Sequence, residues 1–239
     1  EKVRISGETA FGHEAEDISD LLKRSKTFWL KQADAGSWDP PENFVDAIVT
    51  DPPYFDNVQY ADLSRFFRVW LRRFLPDAAD WDYDISSSAV AENEEQAKRY
   101  EHLLERIWRR AAKALKEKGR LIFTFHHWKP EAWGALTVSL RKAGFVLVNR
   151  YVVFSENPAS VHIRTLKALK HDVILVLSPI SSAPQKAFDW PRPVKICMND
   201  SERFCRDCGS AVGWFLISSL TDEEIYQMWR DLFGGRNKA

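Results

Sequence analysis

Phe44-Val45-Asp46-Ala47-Ile48-Val49-Thr50-Asp51-Pro52-Pro53-Tyr54 is the stretch that decides how this chain folds. The run up to Thr50 is apolar and rich in β-branched side chains. Pro40-Pro41 bounds it on one side and Pro52-Pro53 on the other. A short apolar run punctuated in this way reads as a buried strand.

Helical spacing resumes just after it. Ala61–Leu75 carries Leu63, Phe66, Phe67, Trp70, Leu71 and Phe74 on a helical repeat, with Arg65, Arg68, Arg72 and Arg73 between them, and Pro76 ends the run. Residues 77–91 are acidic and serine-rich and read as a surface loop. Glu92–Lys118 has Leu103, Leu104, Ile107, Ala111, Ala114 and Leu115 on one face and Gly119 as its stop. Arg120–Phe125 reads as a strand, Pro130–Lys142 as a helix ending at Gly144, and Phe145–Phe154 and Asp172–Leu177 as two further strands around a loop with Asn157-Pro158. Upstream, the polar first residues hold a short helix near Ile18–Lys26 and a short strand at Thr27–Gln32.

Strands alternating with helices imply an α/β fold, a mostly parallel sheet covered on both faces. Two final strands with no long helix between them imply a terminal antiparallel hairpin. Proline-rich residues 180–193 read as a linker. The division expected is therefore 1–180 as one domain and 181–239 as linker and small tail, the tail holding a cysteine pair and one helix, Thr221–Phe233. Thr221 and Glu224 have capping-box spacing.

The bulk properties narrow the function classes. The 239 residues are 45% hydrophobic, enough for one good core. Lys plus Arg and Asp plus Glu are each 34, so no global positive charge marks a nucleic-acid coat, though a local basic groove is compatible with that balance. No apolar run approaches the ~20 residues that span a bilayer. Glu1-Lys2-Val3-Arg4 is unlike a signal peptide. Three cysteines form no even disulfide framework, and a reducing cytoplasm is the expected location.

The chemistry concentrates at the end of the first strong strand, where open α/β sheets bind ligands. Pro52 and Pro53 fix φ twice and remove two donors, so the turn is stiff and its carbonyls are acceptors. Asp51 adds a carboxylate, and Tyr54 adds a flat face. These parts suit a flat ligand with an exocyclic amine, which donates to Asp51 and a proline carbonyl while its ring lies on Tyr54. The plainer reading is a double-proline turn with a surface tyrosine.

Thr50–Arg73, TDPPYFDNVQYADLSRFFRVWLRR, resembles the amino-methyltransferases that act on adenine N6 or cytosine N4 in DNA. More narrowly, it resembles the adenine-specific DNA methylases of the DUF1156 type. The resemblance covers about residues 28–178. It implies a Rossmann-like methyltransferase sheet with a final hairpin, S-adenosyl-L-methionine (SAM) as methyl donor, and DNA as partner, with further subunits of a modification or defence system. By the same resemblance Asp51, Pro52, Pro53 and Tyr54 are the catalytic turn, Phe55, Asn57 and Tyr60 flank the target base, and Asp34 holds the adenine end of the cofactor. Asp34 reads equally as a solvated loop aspartate. N4-cytosine or RNA amines stay open as substrates, as does a catalytically inactive DNA-binding subunit.

The chain departs from the family in one respect. The glycine-rich cofactor loop expected after a first strand is missing, since Gly7 and Gly12 lie in polar sequence. The expectation is a domain lacking its N-terminal strands. His126 and His127 either line the cleft or are packed. The four arginines of the aromatic helix either touch phosphates or form its solvated face. Cys205-Arg206-Asp207-Cys208-Gly209 has the form of a zinc knuckle, but Cys197 is its only further cysteine, and no metal is assigned.

Overall fold

A computed structural model describes residues 2–5, 8–55, 60–74, 94–155, 169–182 and 189–234. The chain divides into two compact units, Glu1–Trp38 and Asp39–Ala239.

The smaller unit is built from short pieces. β1 (Lys2–Ile5) and β2 (Glu8–Phe11) form an antiparallel hairpin, and β3 (His13–Glu14) pairs in parallel with β4 (Thr27–Phe28). Ile18–Leu22 is a 3-10 turn in place of the expected helix, opened by the Asp17 side chain accepting from the Ser19 N–H. The strand expected over Thr27–Gln32 stops at Phe28. Trp29 and Trp38 meet with ring centroids 6.2 Å apart, and the Lys31 ammonium lies 5.3 and 5.5 Å from them. That is a cation–π arrangement.

The larger unit holds a four-stranded sheet in the order β5 (Val45–Thr50), β6 (Leu115–Phe125), β8 (His171–Pro179), β7 (Phe145–Phe154). β5 and β6 are parallel, while β8 runs antiparallel to both of its neighbours. The fold is therefore mixed α/β, and the mostly parallel sheet expected from the sequence is corrected. The hairpin strand β8 turns back between β6 and β7 and converts two of the three pairings. β6 also begins earlier than expected. Leu115 is buried and pairs with Val45, and an irregularity in the register brings Arg120 opposite Ala47. Gly119 lies within that irregularity and does not end a helix. A Cβ there would stand 2.9 Å from the Lys116 carbonyl oxygen.

Helices α1 (Tyr60–Leu71), α2 (Glu94–Ala114), α3 (Pro130–Lys142), α4 (Ser201–Ile217) and α5 (Asp222–Leu232), with a 3-10 turn at Ile180–Ser182, complete the described elements. Leu121, Phe123 and Phe125 alternate towards α2 and α3 and are almost fully buried. Trp108 of α2 stacks on Phe123 at 5.1 Å. Trp133 of α3 meets Phe125 edge-on at 4.9 Å and stacks on Trp229 of α5 at 5.6 Å. The indole N–H groups of Trp133 and Trp229 find buried acceptors, the His127 carbonyl at 2.8 Å and the Thr137 hydroxyl at 3.2 Å.

Two expectations about burial change here. The sheet is not equally covered: Ile122, Thr124, Ile174 and Val176, which face away from these helices, are only half-buried. β5 is not a buried strand either. It is the edge of the sheet, and Val49 is 75% exposed.

The division at residue 180 is likewise not where the molecule divides. Phe204, Cys205, Cys208, Ala211, Val212 and Phe215 of α4 join the same core as the sheet. Trp190, in the expected linker, donates to the Leu147 carbonyl at 2.8 Å. Cys205 and Cys208 are successive inward positions of a helix rather than a knuckle, and among the described residues no three His, Cys, Asp or Glu side chains are grouped to hold a metal. The capping box at Thr221 and Glu224 is present as read. Among the described residues no helix is long and apolar enough to cross a membrane.

Candidate active site

Asp51 is placed by the strand before it. Thr50 pairs with Phe123 in the parallel register, so the next residues, Asp51 and Thr124, fall side by side beyond the last ladder contact. The Thr124 hydroxyl donates to Asp51 Oδ1, and the Tyr54 hydroxyl reaches the same oxygen at 2.5 Å. Tyr54 and Thr124 hydroxyl oxygens are themselves 2.7 Å apart. One carboxylate oxygen is thus held by two hydroxyls from different elements. Among the described residues no hydrogen bond reaches Oδ2. Charge-assisted hydrogen bonds of this kind are roughly twice as strong as neutral ones.

The turn itself is braced from below. Pro52 is buried, and the Pro53 carbonyl accepts from the buried Tyr100 hydroxyl of α2 at 2.8 Å. Phe55, expected to flank a ligand, is only 6% exposed. It packs edge-on against Tyr100 and His127 at 5.2 and 5.6 Å, with its backbone at φ 52°. A phenylalanine at positive φ is uncommon and holds only where its surroundings fix it. Here the buried ring, packed on Tyr100 and His127, supplies that hold.

Tyr54 is half-buried, with its ring edge-on to Phe125 at 5.4 Å and to the His126 ring at 4.9 Å. Burial, and then its hydrogen bond to Asp51, push the phenol well above the usual tyrosine range, so it stays a neutral donor. His126 continues the face of β6 that carries Thr124. Its Nδ1 meets Asp172 Oδ1 on β8, the pair that follows Phe125 and Val173 in the antiparallel register. His127 points the other way. It is 3% exposed, and its Nδ1 accepts from the Lys129 N–H at 2.9 Å at the start of α3.

The remaining sequence candidates are less gathered. Asp34 belongs to the smaller unit and is exposed. Its Oδ1 accepts from the Gly36 N–H at 2.8 Å, and its carbonyl from the N–H of Ser37 and Trp38, so it organises a local turn rather than ending a strand. Asn57 lies outside the described residues, and Tyr60 is the first residue of α1. On α1 and the turn after it, Phe66, Phe67, Trp70 and Phe74 are all more than half exposed, with Arg72 and Arg73 exposed beside them. In the sequence Thr124 and Asp172 read only as strand residues, with nothing that marks them as part of a site. Their signal is the register of strands far apart in the chain, which no local pattern carries.

The chain matches no protein-family model and no curated protein. It is similar to solved structures of TTHA0409 from Thermus thermophilus, a protein provisionally named as a DNA modification methylase. One of these structures has 18% identity over 64% of this chain and 54% of that one, with a TM-score of 0.37. Another, in complex with S-adenosyl-L-methionine, has 18% identity over 60% of this chain and a TM-score of 0.34. The chain thus spans about half the length of those solved proteins, 54% and 48% respectively.

Proposed function

We propose that this chain carries the acceptor half of a SAM-dependent DNA amino-methyltransferase, and that the acceptor is an exocyclic base amine, adenine N6 foremost. The observation that carries the reading is Asp51. It stands at the carboxyl end of a strand on a double-proline turn, with one carboxylate oxygen held by Tyr54 and Thr124. The DUF1156-type resemblance of Thr50–Arg73 supplies the substrate class.

An exocyclic amine is a poor nucleophile because its lone pair is delocalised into the ring. Asp51 Oδ2 and a proline carbonyl of the turn accept hydrogen bonds from its two N–H groups and draw the nitrogen towards tetrahedral geometry, which localises the lone pair. The clamp on Oδ1 means that little reorganisation is needed as charge develops, and that favours the transition state. A base inside a duplex must first leave the stack, at a cost of about a few kcal/mol. A stacking contact with Tyr54 offsets part of it. When bound, the donor supplies a methyl group activated by its sulfonium. The Asp51 turn supports the reading at the methyl end of that donor. The family resemblance proposes Asp34 for the adenine end, a residue that belongs to the smaller unit.

The test is incorporation of labelled methyl into DNA by the complete protein that contains this chain, followed by digestion to nucleosides. N6-methyladenine is expected. Asp51→Ala is expected to lower kcat by about 10²–10³, the loss seen when one transition-state contact is removed, with KM for the donor little changed. Methylation by Asp51→Ala at the parent rate would overturn the assignment of this turn.

A further inference from the structure

Tyr54 clamps Asp51 from a position past the end of β5, where no strand ladder fixes the backbone. We propose that Tyr100 of α2 is the positioning residue of this turn and acts on Asp51 through Tyr54; the inference rests on the methyltransferase reading above.

Tyr100 grips the chain on both sides of Tyr54. Its hydroxyl donates to the Pro53 carbonyl at 2.8 Å, and its ring meets the Phe55 ring edge-on at 5.2 Å. The Pro53 carbonyl and the Tyr54 N–H belong to one planar peptide unit, so a bond to that carbonyl sets the plane from which Tyr54 starts. The Phe55 ring sets the other side, at a residue whose backbone stands at φ 52° and keeps that conformation only where it is held. With both neighbours fixed, the Tyr54 backbone is fixed too, and its hydroxyl meets Asp51 Oδ1 at 2.5 Å.

The hold is made from inside the protein. Tyr100 is 1% exposed, and burial pushes its phenol well above the usual tyrosine range, opposed in part by the Phe55 N–H, so it remains a neutral donor. The Pro53 carbonyl is thus turned into the core. Deprived of this donor it would be a buried acceptor without a partner and would turn to find one, carrying the Tyr54 peptide plane with it. Tyr100 is itself held by its own helix. Leu104 and Trp108, one and two turns further along α2, are buried in the same core. The adjacent Glu101 accepts from the Lys142 ammonium of α3 and from the Tyr226 hydroxyl of α5, each at 2.7 Å. The direction of Tyr54 is therefore referred to three packed helices and not to the turn alone.

A double-mutant cycle on the complete protein tests this. Tyr100→Phe keeps the ring and removes the hydroxyl, and Tyr54→Phe removes the hydroxyl that clamps Asp51. Each is expected to lower kcat for methyl transfer by about 10–100-fold, with KM for the donor unchanged. The double variant is expected to be no slower than Tyr54→Phe, because Tyr100 then has nothing left to aim. A general weakening of the fold would slow both backgrounds by the same factor. Phe55→Leu keeps a buried apolar side chain and removes the ring contact, and its smaller loss should likewise vanish in the Tyr54→Phe background. It carries the test if Tyr100→Phe shows no cooperative unfolding in urea. Losses that multiply in the double variants overturn the proposal, as does Tyr100→Phe at the parent kcat or with KM alone altered. If Asp51→Ala is inactive while the losses multiply, only this inference fails. Asp51→Ala at the parent rate overturns the reading of the turn and this inference with it.

Discussion

Asp51 is aimed by two hydroxyls of different origin. Tyr54 is three residues away and belongs to the same turn, whereas Thr124 arrives from β6. Thr124→Val keeps the shape and removes one donor. Hydrogen bonds to a charged group contribute about 1.5–3 kcal/mol to stability and less where water can replace the donor, so the unfolding free energy should fall by no more than about 1–2 kcal/mol. The carboxylate, however, loses part of its fixed direction. We expect a fall of about tenfold in kcat for methyl transfer, with Thr124→Ser close to the parent because the hydroxyl returns. Parent-level activity in Thr124→Val would show that Tyr54 alone holds Asp51. The reason sequence revealed Asp51, Pro52, Pro53 and Tyr54 but not Thr124 or Asp172 follows from the same geometry. The first group is contiguous, and its turn chemistry is written in adjacent letters. Thr124 and Asp172 enter only through parallel and antiparallel registers, and an isolated threonine or aspartate in a strand carries no mark of its neighbour. Phe55 shows the converse. It reads as a residue flanking the target base, whereas its ring is packed in the core and its backbone is at positive φ.

At the scale of elements, α4 is the one the sequence hid and α5 the one it declared. α5 opens with a capping box and an acidic first turn, signals that are local and strong. α4 contains Gly209 and Gly213, each costing about 1 kcal/mol of helix propensity relative to alanine, and its Cys-x-x-Cys spacing reads as a metal knuckle. The structure gives the glycines a packing reason. A Cβ on Gly209 would stand 2.8 Å from both Val173 Cγ2 and Arg150 Cδ, and one on Gly213 2.6 Å from the Trp190 ring. The helix lies that close to β7 and β8. Gly209→Ala therefore sets a helix gain of about 1 kcal/mol against overpacking of about 1–3 kcal/mol on a stiff, buried valine. We expect overpacking to prevail, with a net loss of about 1–2 kcal/mol. A shift of the urea midpoint to lower concentration at unchanged slope would register it, and a midpoint at or above the parent's would show that α4 can move away from the sheet.

For the larger unit as a whole, stability rests on one aromatic core into which two thiols are sealed. Burial pushes Cys205 up to about 12 and Cys208 well above its ordinary value. Both are therefore protonated in the folded state under conditions where an unfolded thiol, at about 8.5, has ionised. The folded state then binds more protons than the unfolded one. The stabilisation is complete below that unfolded value and is lost as pH rises from it towards the folded value. Thermal melts should show a transition temperature falling steadily from about pH 9 upwards, and less steeply in Cys205→Ala/Cys208→Ala. Equal slopes in the two proteins would mean that the buried Tyr100 and the half-buried Tyr54 and Tyr226 account for the alkaline loss. The strand order has a consequence of a different kind. Of the four strands in this sheet β8 is synthesised last, yet its place is inside, with β6 on one side and β7 on the other. Until the ribosome has released residues 171–179, each of those strands presents an open row of backbone donors and acceptors that belongs to β8. A nascent chain of this fold must therefore shield two adhesive edges at once, and that exposure to aggregation ends only when the fourth strand is threaded home.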